Sequence, residues 1–330
     1  MMLKEIYIFG AGTNGEQCLI NCRRHGIAVA AFLDNADGKM LFNSLPVLRP
    51  EKADRDMPVV VTSPNYCVDI CLQLEWLGFR NITNLSEFNR TLGIEPDWAG
   101  DLLAHRPEYE QARAMLADDR SRTVFDAAVM FRKTLNPAWL AAVRSPREHQ
   151  WFDPEFFKPG AHVFVDGGAY DGDTTAEFIR QCPEYKAALL FEPSEKLASR
   201  AKARFGVHRS VLVYQQGLSD AETEGRLENA GLPGGTVGEN GEKIKLTTLD
   251  KAIDLSPTFL KLDVEGCEKA ALLGAENHIR NGKPCIACAV YHRPGDLREI
   301  PQVISGMRGD YKFYLRHYTQ FYHETVLYCV

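Results

Sequence analysis

The stretch VFVDGGAYDGDTT, residues 163–175, decides how this chain is read. An apolar run, a cluster of glycines and a polar segment describe a short buried strand, a tight turn and the first turn of a helix. Such a turn brings backbone N–H groups close to a ligand. Asp166 ends the strand just ahead of the glycines. An acid at that point repels a dinucleotide pyrophosphate and attracts a cation. S-adenosylmethionine carries two cations, a sulfonium and an amino group, and is the cofactor expected here.

Outward from this stretch the pattern is α/β. Downstream, AALLFE (187–192), VLVYQQ (211–216), TFLKLD (258–263) and CIACAVY (285–291) are strand candidates with helical crossovers. KFYLRHY (312–318) and TVLYCV (325–330) are too close for a crossover and should pair antiparallel. The result is a doubly wound sheet with a terminal hairpin. Residues 228–242 hold several glycines and are expected to form a mobile loop. Upstream, EIYIFG (5–10), AVAAFLDN (28–35) and PVVVTS (58–63) alternate with helices expected at 15–25 and 68–77, which predicts a second, smaller parallel sheet. Between the two runs the sequence is helical and polar, with Asn136 and Pro137 placed as a cap and a first-turn proline. The expected organisation is an α/β domain over 1–86, a helical connector over 87–160 and a larger α/β domain over 161–330. Trp151, Phe152, Phe156 and Phe157 form a packing seam between the domains, or alternatively a lid over the neighbouring site.

Composition narrows the class. A chain of 330 residues suggests two domains, and 45% hydrophobic with 25% charged residues is the balance of a globular protein. A net charge of −6 removes the attraction that nucleic-acid binders rely on. The N-terminus, MMLKEIYIFGAG, has no signal-peptide h-region, and no apolar run approaches membrane-spanning length. Nine cysteines, an odd and scattered set, fit a reducing cytoplasm better than a disulfide framework. Cys285 and Cys288 form a CxxC within a strand, where they point to opposite faces, so zinc is not expected there. Cys18 with Cys22 and Cys67 with Cys71 are read as buried thiols at helical spacing.

In an open α/β sheet, ligands bind beyond the carboxyl ends of the strands. The candidates at these ends are Asp166, Gly167 and Gly168, with Tyr170 and Gly172 in the following turn. Glu192, twenty residues after Gly172, can accept hydrogen bonds from a ribose diol. Ser219 and Asp220 are placed to meet an adenine amino group, and a turn or cap is the plainer alternative for Asp220. Asp263 and Glu265 fall on one face if the chain stays extended, and His292 closes the next strand. Two neighbouring carboxylates call for a cation, a metal or a shared proton. His292, Asp263 and Glu265 are therefore candidates both for a catalytic base and for the ligands of a divalent cation.

The segments VFVDGGAYDGDTT, LLFEPS, TTLDKA and FLKLDVEGCEKAALLGA, in this order, resemble the FkbM-type family of S-adenosylmethionine-dependent methyltransferases. The resemblance runs from about Trp151 to Val330, and FLKLDVEGCE is its most specific part. It implies a class I methyltransferase fold with a seven-stranded sheet whose last strand is antiparallel. It also implies O-methylation of a hydroxyl on a sugar, a glycan precursor or another small natural product. By motif position Asp166, Gly168 and Glu192 take the cofactor, while Asp263 and Glu265 line its methionine end or the reaction centre. Gly167 and Cys267 depart from the residues common at their positions.

The N-terminal run carries GAGTNG, with Gly10, Gly12 and Gly15, and Asp34 follows nineteen residues after Gly15. By spacing this is a dinucleotide fingerprint. It also resembles Rossmann-like domains of nucleotide-sugar and polysaccharide enzymes, which implies a site for NAD or a nucleotide-sugar, or a domain kept for packing. Two functions thus stand side by side: a cytoplasmic methyltransferase acting on a small-molecule or carbohydrate acceptor, and a nucleotide-binding protein with a vestigial methyltransferase fold. A homo-oligomer is compatible with either.

Overall fold

The computed structural model describes residues 4–228, 235, 237–238 and 240–330. The loop expected at 228–242 falls partly on residues outside this set. The chain forms two compact units. One comprises the residues up to Ala99 together with Ala127–Arg144 and Thr319–Tyr322; the other comprises Gly100–Asp126, Ser145–Tyr318 and His323–Val330. The residues expected as a separate connector, 87–160, are apportioned between both units.

The first unit is a six-stranded sheet of β1 (Glu5–Phe9), β2 (Ala28–Leu33), β3 (Leu41–Phe42), β4 (Leu45–Leu48), β5 (Val59–Val61) and β6 (Ile82–Asn84), in the order β3-β4-β2-β1-β5-β6. Every pairing is parallel except that of β3 with β4. Helices α1 (Thr13–Arg24), α2 (Cys67–Trp76) and α3 (Leu85–Thr91) accompany it. Ile6, Ile8, Leu19, Phe32, Val60 and Phe88 are among its buried core. The β3–β4 hairpin escapes a sequence reading because its two turn residues, Asn43 and Ser44, both take positive φ (50° and 67°). Serine is not a usual signal for that conformation.

Helices α4 (Trp98–Ala104), α5 (Arg106–Met115), α6 (Asp119–Thr134) and α7 (Ala138–Ala141) follow. Asn136, the residue before the cap of α7, accepts the Ala138 N–H at 3.0 Å, and Pro137 is the cap residue rather than a first-turn proline.

The second unit is built on β7 (Val163–Gly167), β8 (Ala187–Phe191) and β9 (Val211–Tyr214), then β10 (Gly217–Leu218), β11 (Thr223–Leu227), β12 (Val237–Gly238) and β13 (Glu242–Thr247), and finally β14 (Phe259–Leu262), β15 (Cys285–Ala289), β16 (Phe313–His317) and β17 (Thr325–Cys329). Its helices are α8 (Asp173–Gln181), α9 (Glu195–Arg204), α10 (Leu249–Ala252), α11 (Glu268–Leu273), α12 (Glu276–Gly282) and α13 (Asp296–Met307). The large sheet has the order β16-β17-β15-β14-β7-β8-β9. β17 lies antiparallel to both of its neighbours, as the sequence predicts for the terminal hairpin, and the other five strands run parallel. All residues of β7, β8 and β14 are buried, as parallel strands covered on both faces require.

Two expectations need correction. The third strand ends at Tyr214, and Gly217–Leu218 begins a separate four-stranded sheet, β10-β13-β11-β12, by pairing with β13. The aromatic cluster is a core of the second unit, not a seam. Phe152 packs on Phe157, Phe164 and Phe259 with ring centroids 5.0, 5.8 and 5.8 Å away, and Phe156 stacks between Tyr314 and Tyr328 at 4.7 Å from each.

Candidate active site

Strand order reverses between β14 and β7, and the crevice of a doubly wound sheet opens at such a point. Register places Lys261 of β14 beside Asp166 of β7, with both side chains on one face. Lys261 is 2% exposed and Asp166 fully buried, and they form an ion pair at 3.0 Å. Asp166 also accepts the Thr175 hydroxyl at 2.7 Å. Burial opposes the charge on Lys261, but Asp166 and Asp263 outweigh it and hold the ammonium above the ordinary lysine range. The carboxylate expected to face a cationic donor is thus already neutralised inside the sheet, because a lysine two residues before Asp263 is its cross-strand neighbour. Lys261 in turn donates to the carbonyls of Gly167 (3.2 Å) and Gly168 (2.8 Å) and so pins the glycine turn.

Gly168 is required at the switch point. Its φ is +72°, and a Cβ there would lie 1.8 Å from the carbonyl oxygen of Asp263. The turn continues through Tyr170 (φ 52°) to Gly172 (φ 86°), which caps α8. Glu192 stands where the sequence predicts, at the end of β8. Its carboxylate accepts the N–H of Tyr170 at 3.0 Å and of Ser194 at 2.8 Å, which ties it to the glycine turn. Burial pushes its carboxyl up to about 7.

Asp263, Glu265 and His292 come together at the ends of β14 and β15. His292 Nε2 lies 3.5 Å from Asp263 and 3.3 Å from Glu265. Its other nitrogen, Nδ1, is 2.8 Å from Glu268 Oε1, and that oxygen also accepts the Val264 N–H. Burial opposes a charge on the imidazole, but Glu268 and Glu265 outweigh it and hold His292 well above the usual histidine range. Both ring nitrogens are therefore engaged by carboxylates. Tyr291 donates its hydroxyl to Asp263 at 3.0 Å. Glu324, on the loop between β16 and β17, takes a hydrogen bond from Gln150, and burial pushes its carboxyl up to about 7.

Glu268, Lys261 and Glu324 are the residues that sequence reasoning did not single out. Glu268 had a signal: it closes the FLKLDVEGCE block, three residues after Glu265 in the first turn of α11. Lys261 had one as well, a charge between leucines in a buried strand. Glu324 carried none, since only the hairpin topology brings it here. Ser219 and Asp220 lie beyond β10, where the Ser219 hydroxyl donates to Asp220 at 3.2 Å; Asp220 is exposed.

In the first unit the GAGTNG turn links β1 to α1 with Gly12 at the cap. Gly15 packs against the turn, since a Cβ there would meet the Gly10 carbonyl at 1.9 Å. Asp34 accepts the N–H of Ala11 at 2.9 Å and of Ala36 at 2.8 Å. One of its oxygens therefore braces the glycine turn, and the other closes a turn in its own loop.

Residues 166–313 match the family described as the methyltransferase FkbM domain. Over these residues the chain is similar to an FkbM methyltransferase domain. A methyltransferase FkbM from Methylobacillus flagellatus KT is similar over 99% of this chain and 90% of its own length, with 25% identity and a TM-score of 0.75. A putative rRNA methylase from Clostridium thermocellum is similar over 52% of this chain and 86% of its own, with 12% identity and a TM-score of 0.36. No curated protein matches. The domain begins at Asp166 and ends at Phe313, so it contains the glycine turn, Glu192 and the acid–histidine cluster. Among the described residues no helix is long and apolar enough to cross a membrane.

Proposed function

We propose that the FkbM domain transfers a methyl group from S-adenosylmethionine to a hydroxyl of a carbohydrate, glycan precursor or other small natural product, in the cytoplasm. The observation that carries this reading is the placement of Glu192, braced by the N–H groups of Tyr170 and Ser194 beside the Gly168 turn at the switch point. A carboxylate so held has lone pairs left to accept two hydrogen bonds from a ribose diol. Nine free thiols accord with a reducing compartment.

Methyl transfer from a sulfonium is an in-line displacement, so aligning the acceptor oxygen supplies much of the acceleration. The acceptor's proton passes to the carboxylates that follow β14. Of these Glu265 and Asp263 are partly exposed, whereas Glu268 is buried behind His292. His292, with both nitrogens engaged, positions Asp263 and Glu265 rather than taking the proton itself. Isothermal titration with S-adenosylhomocysteine tests the cofactor half of the reading. One molecule is expected to bind per chain, and Glu192→Ala is expected to weaken it by about tenfold or more, the worth of a charge-assisted hydrogen bond. No heat from the wild-type protein would refute it.

A further inference from the structure

We propose that Asp263, Glu268 and His292 form a binding site for a divalent cation of the Mn2+ type. One carboxylate oxygen from each acid and one ring nitrogen of His292 lie within 4.8 Å of one another. Bonds of about 2.1 Å to an octahedral ion put neighbouring ligands about 3 Å apart and opposite ones about 4.2 Å apart. The 2.8 Å from His292 Nδ1 to Glu268 Oε1 is close to a spacing of neighbouring ligands, and Asp263 stands 3.5 Å from the same imidazole.

An independent observation comes from Glu268. Its side chain is fully buried, and its second oxygen, Oε2, has no hydrogen-bond partner among the described residues. A buried carboxylate oxygen without a donor is costly, and a cation shared with Asp263 removes that cost. The local backbone assembles the set. Glu265 (φ 53°) and Gly266 (φ 92°) reverse the chain after β14, so that Glu268 in the first turn of α11 returns to the end of the strand it has just left. Two carboxylates with one imidazole favour an ion that takes oxygen and nitrogen together, as Mn2+ does, over the thiolate-rich or all-oxygen sites of other metals. This ligand set differs from the one the sequence suggested. Glu268 replaces Glu265, which stays on the exposed side of the cluster.

The test uses the full-length protein and MnCl2 alone, with free Mn2+ followed by electron paramagnetic resonance. One ion is expected to bind per chain, and echo-envelope modulation of the bound ion is expected to show a coordinated imidazole nitrogen that His292→Gln removes. Asp263→Asn and Glu268→Gln are expected to weaken binding by about tenfold or more, since even partners behind a metal ligand are worth roughly 10–100-fold. Glu265→Gln should weaken it less than Glu268→Gln does. Should the buried Glu268→Gln variant not fold, the partly exposed Asp263 carries the comparison. No stoichiometric binding up to roughly millimolar Mn2+, no nitrogen signature, or wild-type affinity in Asp263→Asn would each overturn the proposal. A parallel titration with S-adenosylhomocysteine separates this site from the methyl-donor reading, because neither result depends on the other.

Discussion

A lysine between two leucines of a fully buried strand stays charged only where a counter-ion is buried with it, and here the register of β14 on β7 supplies Asp166. Removing one partner of such a pair leaves the other uncompensated, at a cost of about 3–5 kcal/mol, whereas removing both is often close to neutral. Lys261→Met is therefore expected to lose about that much stability in denaturant unfolding, and Asp166→Asn/Lys261→Met to lose less. Equal losses in the single and double variants would show that the pair does not act as a unit. Glu192 makes a second expectation at this scale. With its carboxyl pushed up to about 7, it is protonated in the ligand-free protein below neutrality, while a ribose diol is best accepted by the ionised form. Affinity for S-adenosylhomocysteine should rise from pH 5.5 through pH 7 and level off above about pH 8, and Glu192→Gln should flatten the profile. Glu324 changes stability instead. Its raised folded value means that ionisation is penalised in the native state, so stability falls as pH climbs from the unfolded carboxyl range through about 7. Glu324→Gln should then gain in Tm over the wild-type protein as pH goes from 5 to 8.

At the scale of elements, the strands of the larger sheet were readable because most are largely apolar runs with polar residues at their ends. β7, β8, β14, β15 and the closing hairpin all lie where the sequence places them. The short strands β3, β6 and β10 were not, since two or three residues carry no periodicity and their pairing depends on contacts distant in sequence. The same limit applies to the site. Glu192, Asp263, Glu265 and His292 were legible as strand ends, whereas the burial of Asp166 became visible only with the register. The helical stretch shows the same dependence on tertiary contacts. Arg298 of α13 binds Asp101 of α4 at 3.0 Å and also pairs with Glu108 of α5, which fastens both helices to the second unit. With Asp101 14% and Arg298 9% exposed, Arg298→Ala strands a largely buried carboxylate and is expected to cost about 3 kcal/mol or more, measured by urea unfolding. Phe152→Ala, which empties the centre of the aromatic core, should cost about 3–5 kcal/mol in the same assay.

For the molecule as a whole, the region similar to the FkbM domain lies within the second unit, which holds the switch-point crevice, the braced Glu192 and the acid–histidine cluster. In the first unit Asp34 takes the N–H of Ala11 in the glycine turn and of Ala36 in its own loop. The measurement that bears most directly on this account is a crystal structure of the protein grown with S-adenosylhomocysteine. The adenosine ribose is expected to be hydrogen-bonded to Glu192 beside the Gly168 turn, with the sulfur directed toward Asp263 and Glu265. A crevice left empty at saturating ligand, or a ribose held away from Glu192, would contradict it.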